Sequence, residues 1–185
     1  MKNSVKRYDA LLIVILASVI LILSCILPVS AATIDITLTG NINNMQLTPG
    51  IANLNTSAIK LTVTTTGTTD PWTVSVNDAS NDGKPETLAG CMVEYYDSGY
   101  VSSPKNLTNM SVLGYGGNGY GPTSITNTSS EIQLSALNQI IETGTGDGTW
   151  SNIPIAITQP VSLSDPHLTG GHVYRIIVTF TGAAP

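Results

Sequence analysis

Asp78, Ser80, Asp82 and Glu86 stand at the first, third, fifth and ninth places of a D-x-S-x-D-G run that turns on Gly83. A calcium ion wants six to eight oxygens, and a glycine lets such a loop bend sharply around it. Ala89, however, holds the twelfth place, where a bidentate Glu would close the cage, and the flanks read as strands. A plain Asx-rich turn between two strands competes with calcium as the reading and is favoured by those departures.

Gly114 to Pro122 reads GYGGNGYGP. Its glycines keep Tyr115 and Tyr120 clear of neighbouring side chains, and an aromatic face beside the Asn118 amide suits the C–H-rich face of a sugar or a protein contact. Tyr95, Tyr96 and Tyr100 are candidates to extend such a patch. The competing reading folds both loop rings back over the edge of the core.

Asp165, His167 and His172 are two imidazoles and a carboxylate, the donor types of a zinc site, but their spacing fits no strong signature. The sequence contains no G-x-S-x-G, and neither His has an identifiable nucleophile. The scattered acids form no motif of a glycosidase pair. Cys91, beside Met92 and Val93, reads as a buried apolar residue. The expectation is a protein that is not an enzyme, with an envelope hydrolase a distant alternative.

The elements that would position these residues are strands. Ile34, Ile36 and Leu38 alternate with polar residues, as do Ile59, Leu61 and Val63, then Trp72, Val74 and Val76, and later Ile153, Ile155 and Ile157. The second and third runs, separated by Gly67 to Pro71, read as a hairpin. Tyr174, Ile176, Val178 and Phe180 predict one continuous closing strand. Thr, Ser, Asn and Gly supply the polar positions where helices would use Glu and Lys. The pattern predicts an all-β chain, an antiparallel β-sandwich or jelly roll of about seven to ten strands, after an N-terminal signal helix.

Lys2, Lys6 and Arg7 precede an uncharged run from Ala10 to Leu27, and Pro28 ends it. The small residues from Val29 to Ala32 complete a secretory signal with cleavage after Ala31. Two alternatives share its direction. The apolar run reaches the lower length of a membrane anchor, and Ile22-Leu23-Ser24-Cys25 loosely resembles a lipidation box. All three place residues 32–185 outside the membrane, as one domain of ordinary size. Any membrane contact runs through the N-terminal segment.

Past Ala31 the basic residues are Lys60, Lys84, Lys105 and Arg175, against eleven acids. That balance argues against nucleic acid and anionic lipid surfaces as partners. Asn55, Asn106, Asn109 and Asn127 each begin an Asn-x-Ser/Thr triplet, compatible with N-glycosylation of an exported chain.

Two resemblances follow from these segments. Trp72-Thr73-Val74 and the Tyr174–Thr181 run, YRIIVTFT, resemble the internal W-x-L and closing strand of WxL domains, which are held non-covalently to Gram-positive cell walls. Val74 stands for the Leu, Phe180 for the second Trp and Gly182 for the Leu that follows. The order ITLTGNI, TPG, PWTVSVND, QPV and YRIIVTFTG is also similar to uncharacterised secreted β-sandwich proteins of archaea, a likeness that implies no function. The combined expectation is a secreted or cell-surface structural or adhesive protein of the cell envelope. Its alternatives are a carbohydrate-binding module using the Tyr115–Tyr120 loop, and a fibre subunit that self-associates by adding the Ala32–Gly40 strand to a neighbour's sheet. An envelope glycan or another surface protein is the expected partner.

Overall fold

The computed structural model describes residues 31–185 apart from 41, 43–44, 79–82 and 128–129. The leader, with Cys25 and the proposed signal helix or anchor, therefore lies outside the described residues, as do Ser80 and Asp82. Among the described residues no helix is long and apolar enough to cross a membrane.

The described chain is all-β, as its alternation predicts. The strands are β1 (Thr33–Thr39), β2 (Ile51–Thr66), β3 (Pro71–Asp78), β4 (Cys91–Tyr96), β5 (Gly99–Tyr100), β6 (Asn106–Asn109) and β7 (Ser111–Gly114). They continue with β8 (Thr126–Asn127), β9 (Ile132–Gln133), β10 (Gln139–Thr145), β11 (Gly148–Val161), β12 (Val173–Arg175) and β13 (Val178–Ala183). These exceed the expected number because several are two-residue pieces at sheet margins.

A five-stranded sheet runs β1-β2-β11-β7-β9, and a four-stranded one runs β13-β3-β10-β8. Their apolar faces meet in a sandwich: Leu61 and Val63 of β2 and Ile153 of β11 share one buried cluster with Trp72, Val74 and Val76 of β3 and Ile141 of β10. Every neighbouring pair of strands in the register is antiparallel. A third, smaller sheet, β12-β4-β5 with β6 beside β4, completes the unit Ala32–Pro185.

At the centre Trp72 and Trp150, one from each main sheet, lie with ring centroids 4.8 Å apart at 58°. Such a tilted pair adds about 0.5–1.5 kcal/mol beyond its burial. Gly144 makes room for it, since a Cβ there would sit 2.2 Å from the Trp72 ring.

Two sequence expectations need correction. β2 and β3 are not a hairpin: β2 is flanked by β1 and β11, so neither of its edges is open, and β3 lies in the opposite sheet between β10 and β13. The chain crosses between the sheets after Gly67, where Thr68 N–H donates to the Asp147 carboxylate at 2.7 Å. The closing strand is also broken. β12 pairs with β4 in the small sheet, whereas β13 pairs with β3 in the sandwich, and Ile176-Ile177 form the passage between them. Ile176, Val178 and Phe180 nevertheless pack against the core, which preserves the alternation.

Candidate functional site

The calcium candidates begin with Asp78, the last residue of β3. Its carboxylate Oδ2 accepts from the Lys84 ammonium and from the Gly90 backbone N–H. Side-chain exposure is 0% for Asp78 and 1% for Lys84. Lys84 Nζ also reaches the Cys91 carbonyl at 3.2 Å. Asp78 Oδ1 has no hydrogen-bond partner among the described residues. Glu86 is exposed and opens the 3-10 turn Glu86–Leu88. Among the described residues no group of three or more His, Cys, Asp or Glu is placed to hold a metal ion.

The glycine- and tyrosine-rich loop divides its two rings. Tyr115 is 37% exposed, whereas Tyr120 packs against the core cluster. Tyr120 C=O accepts from Ser151 N–H at 2.8 Å, and Thr123 C=O accepts from the Trp150 indole at 3.0 Å. This half of the loop is thus a cover over Trp150. Asn118 is exposed and receives the Ser124 hydroxyl. Tyr115 and Asn118 remain available to solvent, and Tyr120 is half-buried against the core.

Beneath the start of this loop lies a residue that sequence reasoning missed. Glu142 of β10 is fully buried, and both carboxylate oxygens lack a hydrogen-bond partner among the described residues. Its carboxyl presses against the backbone of β7 and the loop: a Cβ on Gly114 would lie 2.2 Å from Oε1, and one on Gly116 2.6 Å from Oε2. Desolvation raises its pKa from 4.5 to about 8. Glu142 is therefore a neutral acid at neutral pH, the form that an apolar surround favours.

The aromatic cluster forms elsewhere, on the small sheet. Tyr95 and Tyr100 meet edge to face at 5.3 Å, and the Arg175 guanidinium lies 4.4 Å over the Tyr95 ring. His172 stacks on Tyr96 at 4.3 Å and hydrogen-bonds Glu94 through Nδ1 at 2.7 Å. The Lys105 backbone N–H, donating at 3.0 Å, is the main cause that holds the Glu94 carboxyl below its ordinary pKa. Burial raises the Tyr174 phenol, whose hydroxyl donates to the Pro166 carbonyl.

This cluster borders a groove of about 1030 Å³. Leu38, Ile42, Ile59, Met92 and Phe180 supply apolar lining, and Tyr95, His172, Tyr174 and Arg175 supply polar and aromatic atoms. His167 also lines it, but its backbone carbonyl is what receives Lys105 Nζ, at 3.0 Å. Asp165 turns its carboxylate onto the Ser162 backbone N–H at 2.7 Å. The three zinc candidates are thus neighbours in sequence with separate engagements.

Of the four sequon residues, Asn106 is exposed. Asn109 donates its amide to the Leu134 carbonyl and Asn127 to the Gly114 carbonyl, each at 2.9 Å. A glycan on either nitrogen would disturb that bond. Asn55 is half-buried in β2 and accepts from Ala58 N–H at 3.1 Å. Cys91 is buried and its thiol is pushed up by desolvation, the opposite of what a nucleophile needs.

Comparison with known protein families, curated proteins and solved structures found no match to this chain.

Proposed function

We propose that this chain is an exported structural and adhesive protein of the cell envelope, a β-sandwich without enzymatic activity that joins a neighbouring copy through its sheet edge. The observation that carries this reading is the placement of β1. Among the described residues it forms the margin of the five-stranded sheet, pairs with β2 alone over Thr33 to Thr39, and has no strand on its other edge. Ile34 and Ile36 rest over Gly182 of β13, so the strand covers the core with two side chains and is otherwise largely exposed. An open edge of Thr and Ile is a template for another strand. An edge strand beside an export signal is also well placed to leave its own sheet for that of a second copy.

The test removes residues 32–40 and supplies the segment separately. A shortened chain should regain thermal stability when a peptide of Thr33–Thr39 is added, and the intact protein should form larger species as its concentration rises. A chain that stays monomeric throughout and ignores the peptide would end the assembly reading. Fractionating the producing cells into cytosol, envelope and medium tests export separately.

A second reading, carbohydrate binding, is favoured by the aromatic border of the groove. Tyr95, His172, Tyr174 and Arg175 line it with aromatic atoms beside hydrogen-bonding groups, the combination that sugars require. On this reading the small sheet holds the sugar, and the exposed Tyr115 and Asn118 of the loop are the rival contact. Glycan-array binding lost in Tyr95→Ala and retained in Tyr115→Ala would support it. Calcium is left out of both readings because Asp78 engages Lys84.

A further inference from the structure

Asp78 and Lys84 meet in a contact that is almost wholly withdrawn from water. We propose that the two side chains are joined by an amide bond formed within the folded protein, a cross-link between Lys84 Nζ and Asp78 Cγ.

Three features point to it. Both groups are withdrawn from water, at 0% and 1% side-chain exposure, which penalises keeping them as separate charges. The hydrogen-bond partners are those of an amide. Gly90 N–H already donates to Asp78 Oδ2, which would remain as the amide oxygen. The Cys91 carbonyl already sits 3.2 Å from Lys84 Nζ, where it would accept the amide N–H. Asp78 Oδ1, by contrast, is buried without a partner among the described residues. It is the atom that an amide would not contain.

The step balances without an added reagent. One ammonium proton passes from Lys84 to the Asp78 carboxylate, and the amine so formed attacks Cγ while Gly90 N–H polarises the Oδ2 carbonyl. The Nζ–Cγ bond forms and the Cγ–Oδ1 bond breaks. Oδ1 leaves as water with that proton and a second one from the attacking nitrogen. One amine, one acid, one amide and one water account for every atom, and no group changes oxidation state. The product removes two buried charges and the orphaned oxygen together. It closes only the short segment between residues 78 and 84, so its gain comes from that removal more than from restricting the unfolded chain. In the fold it would fasten the end of β3, in the sandwich, to the entry into β4 of the small sheet.

Intact-mass measurement of the denatured protein tests this directly. The expected result is a mass about 18 Da, one water, below that of the uncross-linked chain. Fragmentation should place the deficit between Asp78 and Lys84, with no backbone fragments released inside that segment. The Asp82-Gly83 dipeptide can also lose water, as a succinimide, so two controls separate the sources. Lys84→Arg keeps the charge but cannot close the amide, and should restore full mass. Mild alkali should leave the wild-type deficit in place, whereas a succinimide would hydrolyse. Full mass in the wild type, a deficit that survives in Lys84→Arg, or one erased by alkali overturns the proposal. The wild-type fragmentation decides it even if the variant does not fold.

Discussion

Asp78 and Glu142 are both wholly buried carboxyl groups, one on β3 and one on the adjacent β10. Asp78 has a lysine and a backbone N–H directed at it, whereas Glu142 faces glycine backbone and finds no hydrogen-bond donor among the described residues. The difference shows two ways of keeping an acid inside a small sandwich. One sets against it a lysine six positions along the chain. The other discards the charge by holding the proton, and leaves its acid sensitive to pH.

Asp78→Ala leaves Lys84 buried without its counterpart and should destabilise the fold by about 3–5 kcal/mol in denaturant melts. Replacing both residues, as Asp78→Leu with Lys84→Met, should recover most of that loss. A single variant no less stable than the double one would show that the pair is not coupled.

At the second acid, Gly114→Ala drives a methyl into the Glu142 carboxyl and should cost about 1–3 kcal/mol. Pairing it with Glu142→Ala opens the space, so the two changes should be strongly non-additive in a double-mutant cycle. Simple additivity would mean that the carboxyl does not lie against β7.

The pH response should come from Glu142. Its folded-state pKa lies above 4.5, so the folded chain holds a proton that the unfolded chain releases. The stabilisation is whole below about pH 4.5 and declines as pH rises to about 8, by roughly 1.4 kcal/mol per unit. Glu142→Gln should flatten that slope in melts taken across the window. An unchanged slope would assign the response to another group.

The smallest effect belongs to the loop above this acid. Tyr115→Ala should change stability by no more than about 0.5 kcal/mol, as at most exposed sites. Tyr120→Ala, which uncovers the core, should cost on the order of 2 kcal/mol. Equal losses would erase the division between the two rings.

The all-β character was legible because threonine-rich alternation is a local signal. Leu61, Val63, Val74 and Val76 face inward as their period-two spacing predicts. Strand partners were not legible, because alternation records which face is buried and not which edge is occupied. Hence β2 and β3 read as a hairpin although they lie in opposite sheets.

Glu142 was hidden by a bulge. The register of β10 against β3 slips between Ile140 and Glu142, so Ile141 and Glu142 are both buried while Ile140 is 47% exposed. Without that extra residue Glu142 would share a face with Ile140. The cluster of Tyr95, Arg175, His172 and Glu94 was hidden for another reason: β4 and β12 are far apart in sequence, and only the break at Ile176-Ile177 lets β12 reach the small sheet. Tyrosine content alone drew attention to Tyr95, Tyr96 and Tyr100, but not to the Arg175 and His172 that the fold sets beside them.

The seating of Ile34 over Gly182 has a mechanical consequence. It places the beginning of β1 and the finish of β13 side by side at one pole, on facing layers. Tension applied between Thr33 and Ala183 would pull across the gap between the layers and peel each outer strand one rung at a time, instead of shearing a whole ladder at once. Such a module yields at lower force than one loaded in shear along its strands.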